Sequence, residues 1–298
     1  MTDFPDRRIY LNGEYMALAD ANISVLDRGF LLGDSIYEVI PIFAGKPFRL
    51  KHHLQRMDNS LGSIRIENPH TPDEWKAIIT ELVSQYPDPD NNLDQSLYIH
   101  ITRGISPIRD HVFPGPITPS VFVMSSPINY AKLPDPEKGI SAVTIDDIRW
   151  KLCCIKATTL LPNVLARQAA AEQDAAEAIM IRDGLALEGA ASNLFIVKDG
   201  VLITPPKGNE LLPGITRDLV LELAENNTIN YKEDSITLED LQNADEIWLT
   251  SSVREIIPVT ELDGKKLEGT HPGPLWRQMR GLYDQYKKDL RAGVVSAD

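Results

Sequence analysis

Two spacings of apolar residues alternate along this chain. In short runs rich in Ile, Val, Tyr and Phe the apolar positions recur every second residue or fill the run, the mark of a strand. This pattern predicts strands at 8–15, 34–43, 97–102, 120–125, 140–145, 176–182, 186–187, 192–197, 201–204, near Tyr231, and at 246–250. In longer runs they recur every three or four residues, which lines one face of a helix. Leu54, Met57, Leu61 and Ile64 predict a helix over 51–64, and Trp75, Ile78, Ile79, Leu82 and Val83 predict another that starts at Thr71-Pro72. Thr71 suits a cap and Pro72 a first helical position. Further helices are predicted over 163–174, 216–225, 238–244 and 274–289, with Asn163 capping the first of these. Asn12-Gly13, Asp183-Gly184 and Asp199-Gly200 signal tight hairpins, because their turns need positive φ. The segment 27–34 reads as a rigid loop.

Hairpins mixed with a few packed helices argue for two α/β lobes of mixed α+β character. Pro127, Pro134 and Pro136 punctuate the stretch between them. The expected division is a smaller N-terminal domain at 1–126, a linker at 127–139, and a larger C-terminal domain at 140–298. A glycine-rich GxGxxG fingerprint after a first strand is missing from the sequence, which disfavours a nicotinamide enzyme.

Charge and composition narrow the classes. A net charge of -13 argues against nucleic acid or an anionic membrane surface as partner. With 43% hydrophobic and 24% charged residues, the chain has ordinary globular composition. Its apolar runs are too short to span a bilayer, and 1–8 lacks the apolar centre of a leader. The two cysteines, Cys153 and Cys154, are adjacent, so they neither staple distant elements nor make a zinc site. His52 and His53 lack the neighbours a metal site needs, and no metal is expected. The expected setting is cytoplasmic.

Candidate chemistry begins at Lys156, which stands in an uncharged, largely apolar run from Leu152 to Leu161. Burying an ammonium group is costly unless it is used, and an amine with a lowered pKa suits Schiff-base chemistry. Pro213-Gly214 turns the chain before the helix at 216–225. The first amides of that helix, with the Thr216 hydroxyl, make either a plain cap or a phosphate seat. Thr250-Ser251-Ser252 is either an exposed turn or a source of hydroxyls and amides for a second side of the anion. Arg56 would add positive charge, or is simply solvated. Glu188, beside Gly189-Ala190-Ala191, is either a hairpin-edge charge or the acid facing a flat ligand; Arg149 and Trp150 could support that floor. Arg109 and His111 lie in a proline-bounded loop that could recognise a carboxylate, or pair locally with Asp110.

Taken in order, several strings resemble the pyridoxal-phosphate aminotransferases of fold type IV, and among them the bacterial D-amino-acid transaminases. They are Asp27-Arg28-Gly29, Gly33-Asp34, Tyr37-Glu38, Thr102-Arg103-Gly104, Ser106-Pro107, Asp147-Ile148-Arg149-Trp150, Ile155-Lys156, Glu188-Gly189, Ser192-Asn193, Gly214-Ile215-Thr216-Arg217 and Thr250-Ser251. The resemblance spans about Ile9 to Leu282 and implies a two-domain fold type IV architecture with pyridoxal 5'-phosphate as cofactor. It implies that Lys156, placed in the C-terminal domain, holds the cofactor and moves the substrate proton. Glu188 would face the ring nitrogen, and Arg56, Ile215, Thr216 and Ser252 would hold the phosphate. Tyr37, Arg109 and His111 would trap the substrate α-carboxylate, with Phe30, Arg149 and Leu212 in support. The chain departs from the pattern by Ile108 ahead of Arg109, by Phe30 in place of tyrosine, and by Ala190 and Ala191 in place of serines. The implied reaction passes an amino group between D-amino acids, D-alanine or D-glutamate, and 2-oxo acids by a ping-pong route. Branched-chain L-amino-acid transaminase, (R)-amine transaminase and 4-amino-4-deoxychorismate-type lyase are the alternatives. Family members are homodimers whose subunits complete each other's sites, which implies the same here.

Overall fold

The computed structural model describes residues 7–86, 93–269 and 272–296. Residues 1–6 of the segment read for a leader lie outside them. The chain divides into two compact units, one comprising residues 1–128, 155–159 and 290–298, the other 129–154 and 160–289.

The first unit contains β1 (Arg8–Leu11), β2 (Glu14–Ala17), α1 (Arg28–Leu32), β3 (Ser35–Phe43), β4 (Lys46–Pro47), α2 (Leu50–Ser63), α3 (Pro72–Ser84), β5 (Asp94–Thr102) and β6 (Ser120–Pro127). Its strands pair antiparallel in the order β2-β1-β6-β5-β3-β4. The Asn12-Gly13 turn has positive φ at both residues. At the start of α3, Thr71 accepts from the Glu74 amide while Glu74 reaches back to the Thr71 amide, a reciprocal cap. The segment expected to be a rigid loop contains a short helix, α1, capped by the Asp27 carboxylate at the Gly29 amide. The other Asp27 oxygen accepts from Thr102 and Ser120, so one buried acid ties α1 to β5 and β6. A side chain at Gly29 would meet Thr102 Cγ2 at 2.4 Å, which requires glycine there.

The second unit contains β7 (Ile140–Asp146), α4 (Leu161–Ala171), β8 (Glu177–Arg182), β9 (Leu185–Gly189), β10 (Ser192–Lys198), β11 (Val201–Thr204), α5 (Ile215–Asn226), β12 (Tyr231–Glu233), β13 (Ile236–Thr237), α6 (Leu238–Gln242), β14 (Glu246–Ser251), β15 (Glu255–Leu262), β16 (Lys265–Lys266) and most of α7 (Pro274–Ala292). The path β10-β14-β15-β7-β8-β9 closes on itself because β9 also pairs with β10. Closure leaves those six strands without a free edge. Ile179, Leu194, Ile196, Ile247, Leu249, Ile257 and Val259 form its buried centre. Strand β15 was not expected from the sequence. Helix α4 starts two residues before the expected Asn163, with Pro162 in its first turn, and it ends at Ala171 rather than Asp174.

One segment corrects the expected division. Lys156 follows the linker in sequence, yet residues 155–159 belong to the first unit. The cause is backbone pairing with the start of β3. The Tyr37 amide donates to the Lys156 carbonyl at 2.9 Å, and the Thr158 amide donates to the Ser35 carbonyl at 3.1 Å. These bonds satisfy peptide groups that would otherwise be left unpaired as the strand begins.

Helix α2 is locked to β3 through Glu38, which is fully buried. Arg56 donates from Nε to Oε1 at 2.7 Å and from Nη2 to Oε2 at 2.8 Å; His53 Nδ1 lies 2.9 Å from Oε2. Burial alone would push the Glu38 carboxyl up, but the Arg56 charge and these hydrogen bonds bring it far below the usual carboxylate range. Burial lowers the pKa of His53. A neutral His53 facing an ionised carboxylate must donate from Nδ1. A depressed acid stabilises the fold fully above its unfolded value near 4.5 and loses that contribution as pH falls toward the folded value. Glu38→Gln is therefore expected to cost about 3–5 kcal/mol at pH 7, since it strands the Arg56 charge. Urea unfolding at pH 7 and pH 3 checks this: the gap between wild type and variant should narrow at the lower pH.

Candidate active site

In the first unit, pairing with β3 carries Lys156 to the side of Tyr37. The Lys156 amine sits 4.1 Å from the centroid of the Tyr37 ring, within reach of the attraction between an ammonium and a π face. The Ser60 hydroxyl of α2 accepts from the Lys156 amide at 3.2 Å. Backbone and side chain of the lysine are thus both held, while its residue stays half-buried. Arg56 is buried on the same helix as Ser60, with its guanidinium committed on two nitrogens to Glu38.

In the second unit the focus is Glu188, near the end of β9. Its Oε1 accepts from Arg149 Nη1 in a short ion pair, and its Oε2 accepts from Asn193 Nδ2 at 3.1 Å. The Leu212 amide donates to both oxygens, at 3.2 and 3.1 Å. Arg149 also grips Asp147 through Nε at 2.9 Å and Nη2 at 2.8 Å, and Arg182 Nη2 meets the same acid at 2.9 Å. The result is an alternating chain, Arg182, Asp147, Arg149, Glu188, largely shielded from water. Burial pushes the Glu188 carboxyl up to about 7, against the opposing pull of Arg149 and the Leu212 amide. Asp147 is brought below the ordinary range by its arginine partners despite burial. Glu188 is thus poised near neutrality, whereas Asp147 stays a fixed anion.

Leu212 leads through Pro213 to Gly214, the residue that precedes α5. No side chain caps α5, so the amides of Ile215 and Thr216 begin the helix without an acceptor of that kind. A partial positive charge gathers at such an end. Ser252 lies half-buried in the turn between β14 and β15.

The residues expected to form the carboxylate trap differ in exposure. Tyr37 is half-buried beside Lys156, but Arg109 and His111 are exposed on the loop between β5 and β6. Among the described residues neither makes a hydrogen bond or ion pair, so the local pair of Arg109 with Asp110 is not formed either. The loop itself is firmly held. Arg28 Nη1 donates to the Asp110 carbonyl at 2.6 Å, and the Arg103 guanidinium lies 3.7 Å from the Phe113 centroid. Asp34 fixes both arginines, at 2.8 Å from Arg28 Nε and 2.7 Å from Arg103 Nε. The extra residue, Ile108, projects outward while Ser106 Oγ holds its carbonyl at 2.8 Å. Phe30, on α1, is also exposed.

Several residues now stand out that were not candidates before: Glu38, His53, Asp147, Arg182 and Asn193. For Asn193 a signal existed. Only Ala190 and Ala191 separate β9 from β10, and a two-residue hairpin loop sets Gly189 opposite Ser192 and Glu188 opposite Asn193.

Comparison with known proteins identifies the family. Residues 35–262 match the Amino-transferase class IV family. D-alanine aminotransferase of Bacillus licheniformis is 40% identical over 273 residues, covering 92% of this chain and 94% of that protein. D-alanine aminotransferase of Staphylococcus epidermidis is 37% identical over 282 residues, covering 94% and 97%. Among solved structures, the branched-chain aminotransferase of the archaeon Thermoproteus uzoniensis, with norvaline, superposes with a TM-score of 0.83 at 27% identity, over 96% of this chain and 95% of that one. The branched-chain amino acid aminotransferase of Escherichia coli gives 0.85 at 27% identity, covering 94% of each chain. Matches of this extent leave one conclusion: the chain belongs to the class IV aminotransferases, with their mixed α/β fold.

Proposed function

We propose that this enzyme transfers an amino group between a D-amino acid, D-alanine or D-glutamate, and a 2-oxo acid such as pyruvate or 2-oxoglutarate, with pyridoxal 5'-phosphate as cofactor. The observation that carries the reading is the set of D-alanine aminotransferases at 36–40% identity over more than nine-tenths of the chain. The branched-chain enzymes that share the fold stand at 26–27%.

The residues present suit that cofactor. A carboxylate offers about four acceptor positions. Arg149, Asn193 and the shared Leu212 amide use three of those on Glu188. One remains for a ring N–H, at an acid whose pKa, about 7, favours sharing a proton near neutral pH. The uncapped start of α5 suits a phosphate dianion. Lys156 presents an amine on a braced backbone.

When bound, the cofactor supplies an aldehyde that takes up the amino group and a protonated ring that draws electrons from the substrate α-carbon. Lys156 Nζ then takes the α-proton and returns it, its position set by β3 and the Tyr37 ring. Glu188 holds the proton on the ring nitrogen, and Arg149 keeps Glu188 from turning away. Ile215, Thr216, Ser252 and Arg56 hold the phosphate. Tyr37, with Arg109 and His111, binds the α-carboxylate, which sets the substrate hand; Phe30 and Leu212 line the surroundings.

A second copy of the chain completes the trap in this reading, and the enzyme works as a cytoplasmic homodimer. Support comes from the loops at 23–30 and 105–113, zipped together by the Arg28 amide on the Gly104 carbonyl and the Ser106 amide on the Leu26 carbonyl. They expose Val25, Phe30, Ile108 and Val112, each about two-thirds or more accessible. Exposed apolar side chains on two loops that are hydrogen-bonded to each other suit a surface that a second copy covers.

Three outcomes are expected. Borohydride reduction of the cofactor-loaded enzyme should place the pyridoxyl label on Lys156 by peptide mapping, and a label elsewhere would refute the lysine's role. Arg109→Ala should lower kcat/KM for D-alanine by about 100-fold, the loss of a bidentate charged contact, while reaction with an amine that lacks a carboxylate survives; equal loss for both would count against the trap. Val112→Asp should sediment as a monomer where the wild type sediments as a dimer, and a monomeric wild type would remove the second copy from the scheme.

A further inference from the structure

The amide of Asn193 stands where three parts of the second unit meet. On one flank of β10 it is paired with Glu188 of β9, on the other with Thr250 of β14. Directly opposed residues of antiparallel strands point to one face, so the acid, the amide and the residue leading into Ser251-Ser252 share a side of the sheet. Asn193 Nδ2 donates to Glu188 Oε2 at 3.1 Å and to the Leu212 carbonyl at 2.7 Å. Its Oδ1 presses on Gly214, where an added Cβ would lie only 1.8 Å away. Gly214 has φ -72° and ψ 133°, a conformation open to any residue. Glycine is needed there because the amide fills the side chain's space.

We infer that Asn193 is a positioning residue that couples Glu188 to the start of α5, so that the ring-nitrogen acid and the phosphate seat are held at one fixed spacing. This rests on the reading that Glu188 and the α5 amides serve the same cofactor. Both hydrogens of one planar amide are spent, one on the acid and one on the turn, and its oxygen packs against the helix start. Displacing the turn therefore pulls on Glu188, and displacing Glu188 pulls on the turn. Aspartate is not an adequate substitute, because it would set a second carboxylate against Glu188 and the Leu212 carbonyl. Alanine removes both donations.

The test uses two partial probes on the apoprotein: pyridoxal, which has the ring without phosphate, and inorganic phosphate alone. Binding is read from the visible absorption of pyridoxal and from the thermal upshift produced by phosphate. In Asn193→Ala the affinity for each probe should fall, and that for the complete cofactor should drop by about 30-fold, the equivalent of two ordinary hydrogen bonds. Gly214→Ala, which forces the amide aside, should weaken both probes in the wild-type background and add nothing to Asn193→Ala. Loss of one probe only, loss of neither, or additive penalties would overturn the coupling. Should Asn193→Ala fail to fold, Gly214→Ala alone is judged by the same criterion, both probes weakened or not. A wild type that binds neither probe nor the complete cofactor would sink the functional reading itself, whereas normal wild-type binding with unaltered variants would sink only the role of Asn193.

Discussion

An ionised carboxylate removed from water must be met by opposite charge or by several donors, and that requirement governs both units. Asp34, Glu38, Asp147 and Glu188 are each held in this way. None of these pairs is justified as a source of net stability, because desolvation consumes most of what the attraction returns. Their value is geometric. An arginine committed to two carboxylate oxygens has little freedom to swing, and the peptide segments on either side are fixed with it. Asp34 holds Arg28 and Arg103, which in turn hold the loop carrying Arg109 and His111. The alternating chain from Arg182 to Glu188 gives the acid of the second unit one orientation.

The same requirement leaves two buried acids in different conditions. Glu38 and Glu188 are both fully or nearly buried, and both are paired with an arginine. Glu38 meets two nitrogens of Arg56 as well as His53 and stays an anion at any working pH. Glu188 shares Arg149 with Asp147, so its compensation is diluted and its carboxyl rises to about 7. A carboxylate in this intermediate condition keeps capacity for a further donor, whereas a fully neutralised one has little left to offer.

Much of this arrangement could be read from residue order, because local rules dominate it. Turns needing positive φ at Asn12-Gly13, Asp183-Gly184 and Asp199-Gly200 fell where glycine pairs predict them. The Thr71 cap and the apolar faces of α2 and α3 likewise follow from spacing within a few residues. What escaped depends on contacts distant in sequence. Helix α1 exists because Asp27 is braced by Thr102 and Ser120, and β15 forms between β14 and β7. The return of residues 155–159 to β3 is a pairing across more than a hundred residues, with no local signature. Glu38 was visible only as a letter beside Tyr37, since its partners lie on another element. For Arg109 and His111, residue type suggested a role, but not their exposed placement.

That placement carries its own argument. An arginine and a histidine on an exposed loop are ordinarily flexible, and ordering them costs entropy that surface contacts rarely return. Here the backbone beneath them is ordered by other groups: Arg28 on the Asp110 carbonyl, Ser106 on the Ile108 carbonyl, and the Arg103 plane against Phe113. Gly104 at φ 109° turns the chain into this loop where a Cβ would strike the Thr118 carbonyl oxygen at 2.0 Å. So much bracing under an arginine and a histidine without internal partners, among the described residues, is the kind of backbone order that lowers the cost of binding a ligand. The backbone under Arg109 and His111 is ordered by these contacts, so an anion that met the two side chains would have only the side chains left to order.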